Sequence, residues 1–139
     1  MIQRIQTIYL ALATLLQGLL FVFPFANAEK TSEGAFIDGD LDLFDNAGLM
    51  STDVAALALT LLCIFMFNNR KMQMNLTFIG MVLSVALIGI AAFFAFGTGV
   101  AASLGIGLFL PPIAAVMYYL AYKGIKSDDE LVKSSNRLR

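Results

Sequence analysis

The stretch "DGDLDLFD" places four aspartates, Asp38, Asp40, Asp42 and Asp45, within eight positions. Carboxylates at every second position, as in Asp38-x-Asp40-x-Asp42, match the opening of a calcium loop, where alternating oxygens wrap one hard cation. The sixth position of that loop needs Gly and holds Leu43; the twelfth needs a bidentate Glu and holds Leu49. The complete motif therefore fails, and the segment reads as a solvated acidic surface. Other reactive groups are sparse. The chain has no His, which removes the commonest general base and metal ligand. Its single cysteine, Cys63, lies in an apolar run and reads as a small buried side chain. Gln17, Thr14, Thr60 and Ser84 are the main polar residues deep in apolar runs, and no Asp, Glu, Lys or Arg lies there. Pumps and proton relays place ionisable groups at such depth. These observations predict a chain that is not an enzyme, with no cofactor, no bound metal and no nucleic-acid partner.

Composition says which solvent surrounds these residues. Of 139 residues, 59% are apolar and 14% charged, the latter about half the usual globular share. Mean hydropathy is +0.81. A soluble domain of this size could not hide so much apolar surface. Crossing ~30 Å of hydrocarbon takes about 20 apolar residues in a helix. Four runs meet that length: about 5–26, 49–67, 76–96 and 100–122. The fold class expected is an all-α membrane protein, a four-transmembrane-helix bundle over 1–122 with an acidic external loop at 27–48, followed by a tail at 123–139. Asp53 would be costly at the bilayer centre, so it is expected at the interface, in the first turn of the second helix, capped by Ser51 or Thr52.

Charge sorts by loop. Arg4, Arg70, Lys71, Lys123, Lys126, Lys133, Arg137 and Arg139 flank the runs on one side, and only Lys30 of the nine basic residues falls on the other. The positive-inside rule makes the basic side cytoplasmic. This predicts a multi-pass protein of a bacterial inner membrane with both termini cytoplasmic and Arg4, Arg70, Lys71, Lys123 and Lys126 fixing its orientation. Ala26-Asn27-Ala28 before Glu29 resembles a signal-peptidase site. The run preceding it exceeds the 7–15 residues of a secretory signal, so a retained first span is expected.

Lipid is as apolar as Leu, so helices associate through close packing and interhelical hydrogen bonds. Gly80 with Ser84, and Gly99, Ser103 and Gly107 at steps of four, form small-residue stripes suited to packing within one bundle. Pro111 and Pro112 fall within the fourth run and predict a kink there. Gln17 is expected to hydrogen-bond across helices. In the loop, Asp38-Gly39 is a type I′ turn signal, and alternation around it suits a short β-hairpin. Such a hairpin would rest Phe36, Leu41, Leu43 and Phe44 on the bundle end or on a partner. Tyr118, Tyr119 and Tyr122 look like an aromatic belt, and the tail like a short mobile extension.

The opening "MIQRIQTIYLALA", the "FVFPFA" end of the first run and the turn "NNRKMQMNL" resemble a family of small four-span bacterial membrane proteins, a domain of unknown function found mainly in Bacteroidetes. That resemblance covers most of the chain. It implies an inner-membrane location and assigns no catalytic or binding residue. The function expected from the residues is a non-enzymatic accessory or scaffold subunit. It would present Phe36, Asp38, Asp40, Leu41, Asp42, Leu43, Phe44 and Asp45 to a membrane or periplasmic partner. The alternative is a small transporter or channel subunit. The lipid bilayer is the expected surroundings, and a homo-oligomer is compatible with either.

Overall fold

The computed structural model describes residues 3–28, 38–66, 68–97 and 102–137, with side chains described from residue 5 to residue 135. Phe36, Gly99 and the Arg4 side chain lie outside the described residues. The chain forms α1 (Gln3–Leu19), β1 (Ala26–Ala28), β2 (Asp40–Leu41), α2 (Ala47–Phe65), α3 (Arg70–Gly97), β3 (Ala102–Leu104), a 3-10 turn (Ile106–Phe109) and α4 (Leu110–Arg137). Three of these, α2, α3 and the turn continuing into α4, are long and apolar enough to cross a membrane; α1 is a shorter apolar helix.

The helices form a ring. α1 packs on α2 and α4, and α3 packs on the same two. Successive helices run in opposite directions, so Gln3 and Arg137 lie at one end of the bundle, the tail end. All three strands lie at the other, the sheet end. Caps explain the two helix starts where a side chain supplies one. Asn46 Oδ1 accepts from Gly48 N–H at 2.7 Å, closing the first turn of α2. Asn69 Oδ1 accepts from Met72 N–H at 3.2 Å and does the same for α3.

The sheet has the order β2-β1-β3, antiparallel throughout. Ala26 pairs with both Leu41 and Leu104, so β1 is the middle strand. The segment that resembles a cleavage site thus joins the chain before α2 to the chain before α4. Beneath the sheet lies an apolar layer of Leu20, Phe25, Leu41, Leu43, Leu49, Leu87, Ala91, Ala95 and Leu110. A second layer, Leu10, Ala13, Cys63, Ala114, Tyr118 and Ala121, fills the middle of the bundle.

Several expectations are corrected. The first helix ends at Leu19 rather than near 26, because Val22 and Phe23 N–H both turn back to Leu19 O ahead of Pro24. The fourth helix begins at Leu110, not 100. Residues 102–104 pair with β1 instead, and Ser103 Oγ donates to Asn27 O at 3.1 Å. Ser103 and Gly107 therefore belong to no helical stripe. Gly107 sits in the 3-10 turn, where a methyl would stand 2.5 Å from Phe23 O. Pro111 and Pro112 are the second and third residues of α4 and produce no mid-helix kink. The first turn of a helix has no partner for its N–H groups, so proline is at home there. The first strand of the hairpin expected at Asp38-Gly39 lies outside the described residues. Gly39, at φ +88, makes the turn into β2, and β2 pairs with β1. The tail is not a loose extension, since α4 continues unbroken to Arg137.

Candidate functional site

One polar side chain from each helix meets at mid-bundle. Gln17 on α1, Thr60 on α2, Ser84 on α3 and Tyr118 on α4 are all essentially fully buried. The Tyr118 hydroxyl donates to Gln17 Oε1 at 2.9 Å and also hydrogen-bonds the Thr60 hydroxyl. Gln17 Nε2 donates to Ser84 Oγ at 3.5 Å. The bonds span both diagonals of the ring, α1 to α3 and α2 to α4. Each helix is thereby held at a fixed height against the other three. Interhelical bonds of this kind contribute about 0.6 kcal/mol each in lipid, so their main effect is registration. Gly80 makes the site compact. A methyl there would lie 2.8 Å from Tyr118 Cε1. Ser84, one turn along α3, returns its hydroxyl proton to Gly80 O. Tyr118 thus belongs to the core rather than to an aromatic belt; Tyr119 is exposed, and Tyr122 meets the ring of Phe78.

Two further groups of polar contacts lie toward the tail end. Cys63 Sγ contacts Thr77 Oγ1 at 3.1 Å, and Gln73 Nε2 donates to Cys63 O at 3.2 Å. Gln6 Nε2 donates to Asp128 Oδ2 at 2.5 Å, and Arg70 donates to Asp128 O at 3.3 Å. Arg70 therefore fastens α3 to α4. Lys71, Lys123 and Lys126 are exposed at the same end.

Asp53 is the exception to this pattern of satisfied groups. It is 0% exposed, and neither carboxylate oxygen has a hydrogen-bond partner. The expected place of Asp53 in the first turn of α2 is corrected. Asn46, not Ser51 or Thr52, caps α2, so the helix starts at Ala47 and carries Asp53 into its second turn. Thr52 bonds back to Gly48 O instead. An ionisable side chain is thus enclosed within the bundle. The signal that could have found Asp53 is periodic. Leu49, Asp53, Ala56, Thr60 and Cys63, at steps of four and three, are the buried stripe of α2.

The acidic loop is shaped by two anchors. Leu41 and Leu43 are completely buried in the apolar layer under the sheet. Leu41 O accepts from Phe25 N–H at 2.8 Å. Asp42 N–H donates to Asp45 Oδ2 at 2.6 Å, closing a tight turn. This arrangement turns Asp38, Asp40, Asp42 and Asp45 outward. Phe44, 60% exposed, meets Phe21 edge-on. Partial desolvation, followed by crowding from Asp45, Asp40 and Asp38, raises the Asp42 carboxyl above its ordinary value. Leu43 occupies a core position where a calcium loop needs Gly. Among the described residues, no three of His, Cys, Asp or Glu gather to hold a metal ion.

A family model described as a domain of unknown function, DUF4293, matches residues 2–138. No curated protein and no solved structure matches the chain.

Proposed function

The chain belongs to the DUF4293 family of unknown function, and from that premise we propose that it is a non-enzymatic subunit of a bacterial inner-membrane assembly. In this reading four helices span the membrane, both termini face the cytoplasm, and the acidic cap faces outward to bind a membrane or periplasmic protein. The supporting observation is the fixed shape of that cap. Buried Leu41 and Leu43 hold four aspartates and Phe44 at the surface of a small sheet. A fixed surface loses less conformational entropy on binding than a mobile loop would. Its charge suits a basic partner surface. The test is affinity capture of the intact protein in mild detergent, beside a variant carrying Asp40→Asn, Asp42→Asn and Asp45→Asn. The reading expects a partner held by the unaltered protein and lost from the variant at equal expression. Purification alone, or a partner indifferent to the cap, counts against it.

A second reading, a small transporter or channel subunit, is favoured by Asp53. A buried carboxyl in a membrane helix is a functional group by default, because removing it from water is costly. Flux measured in vesicles discriminates: Asp53→Asn should abolish a flux that runs through this residue. An unchanged flux, or none in the unaltered protein, leaves the first reading alone.

A further inference from the structure

Asp53 lies inside α2 between two different environments. One turn toward the sheet end, Leu49 belongs to the apolar layer with Leu20, Leu87, Ala91 and Leu110. Two turns toward the tail end, Thr60 joins Gln17, Ser84 and Tyr118. Seven helical residues put about 10 Å between Asp53 and Thr60 along the axis, so the hydrogen-bonded cluster does not serve the carboxyl. Both of its oxygens are enclosed and unbonded.

Among the described residues, nothing nearby compensates a negative charge there. The groups facing the interior from α1 are Gln17, Tyr9 and, at the tail end, Gln6. Those from α3 are Gln73, Thr77 and Ser84. α4 contributes Tyr118 and Asp128, and α2 itself contributes Thr60 and Cys63. None is a cation. The basic residues Arg70, Lys71, Lys123 and Lys126 sit at the far end of the bundle, and the one ion pair among the described residues joins Lys133 to Asp129. An ionised carboxylate without a partner in such surroundings is disfavoured by several kcal/mol.

We propose that Asp53 is an intramembrane proton-binding site, whose carboxyl takes up and releases a proton as the bundle opens toward the sheet end. Enclosure selects the ligand. A partner's lysine or arginine has no route to a carboxyl with no exposed surface. A metal ion needs several oxygens, and among the described residues no second acid accompanies Asp53. A proton needs one oxygen and fits the space as it stands. The sheet end is the nearer exit, since Asp53 lies only seven residues from the Asn46 cap, about 10 Å along the helix.

The experiment uses the full-length protein in detergent and in vesicles, treated with dicyclohexylcarbodiimide. This hydrophobic reagent adds to protonated carboxyls in apolar surroundings. Peptide mapping by mass spectrometry should find Asp53 modified at neutral pH, while Asp38, Asp40 and Asp45 in water remain unmodified. Modification should be lost when the solution is made alkaline and absent in Asp53→Asn. Modification that does not change with pH overturns the proposal, because it marks a proton that never exchanges. Protection by sodium chloride but not by choline chloride also overturns it, because the ligand is then a sodium ion. Should the reagent fail to enter, the infrared carbonyl band of a protonated acid decides. A band that disappears in alkali and in Asp53→Asn supports the site, and absence of the band overturns it. None of these outcomes depends on whether the cap binds a partner.

Discussion

At Gly80 a hydrogen atom occupies the place where a methyl would lie 2.8 Å from the Tyr118 ring. That ring cannot swing aside cheaply, because its hydroxyl is bonded to Gln17 and Thr60. Gly80→Ala should therefore lower stability by about 1–3 kcal/mol, the usual range for overpacking. Gly89 faces open space on the same helix, and Gly89→Ala should be neutral or stabilising by up to about 1 kcal/mol through helix propensity. Thermal unfolding of the two variants in one detergent checks the contrast, and equal midpoints would mean that Tyr118 is not pinned. Asp42 makes a prediction of opposite sign to most surface acids. Its folded-state value is raised, so the folded chain binds the proton more tightly than the unfolded chain does. Its contribution is then least unfavourable below the ordinary carboxylate value and grows worse as pH rises through the raised one. Asp42→Asn should raise the unfolding temperature at neutral pH and leave it nearly unchanged in acid. Loss of stability at neutral pH would show that the ionised Asp42 carboxylate is not disfavoured beside its acidic neighbours.

At the scale of the element, the second and third helices are legible because each is a long, mainly apolar run ended by polar residues. The beginning of the fourth was not. Residues 100–109 are apolar, and a short apolar run fits a strand as well as a helix. What decides is β1, about 75 residues earlier, which offers 102–104 an edge. Pro111 and Pro112 read as a mid-span kink, whereas their place at the start of α4 follows from that pairing. The cap's anchors Leu41 and Leu43 followed from alternation, whereas the partner strand at Ala26–Ala28 has no strand signal of its own. The place of Asp53 turns on one cap: with Asn46 rather than Ser51 or Thr52 as N-cap, the helix starts five or six residues earlier and carries the carboxyl into the core. The same pairing predicts a severe site. In Gly107→Ala the methyl meets Phe23 O at 2.5 Å and Pro24 O at 2.6 Å, both of them backbone. Gly107 N–H also donates to Pro24 O at 2.9 Å. Gly107→Ala should destabilise more than Gly80→Ala, and limited proteolysis should cut first between α1 and α2. An intact cap with an unchanged midpoint would refute this placement.

For the whole molecule, the bundle separates charge by end. Arg70, Lys71, Lys123 and Lys126 lie at the tail end, and Asp38, Asp40, Asp42 and Asp45 at the sheet end. The proposed orientation has a direct test, helped by the burial of the only native cysteine, Cys63. Phe44→Cys should react with a membrane-impermeant maleimide applied outside intact spheroplasts, and Lys126→Cys should react only after lysis. The reverse pattern would invert the molecule and move the acidic cap into the cytoplasm. The three-stranded sheet also carries a consequence for biogenesis. β1 emerges from the ribosome early, and its second edge is filled by Ser103, 76 positions later. A nascent chain with three helices inserted thus displays a bare strand edge, open to any insertase or surveillance protease that recognises one. That edge is covered only when residues 102–104, which follow α3 in the chain, reach the sheet end, so the sheet closes last although its central strand is made first.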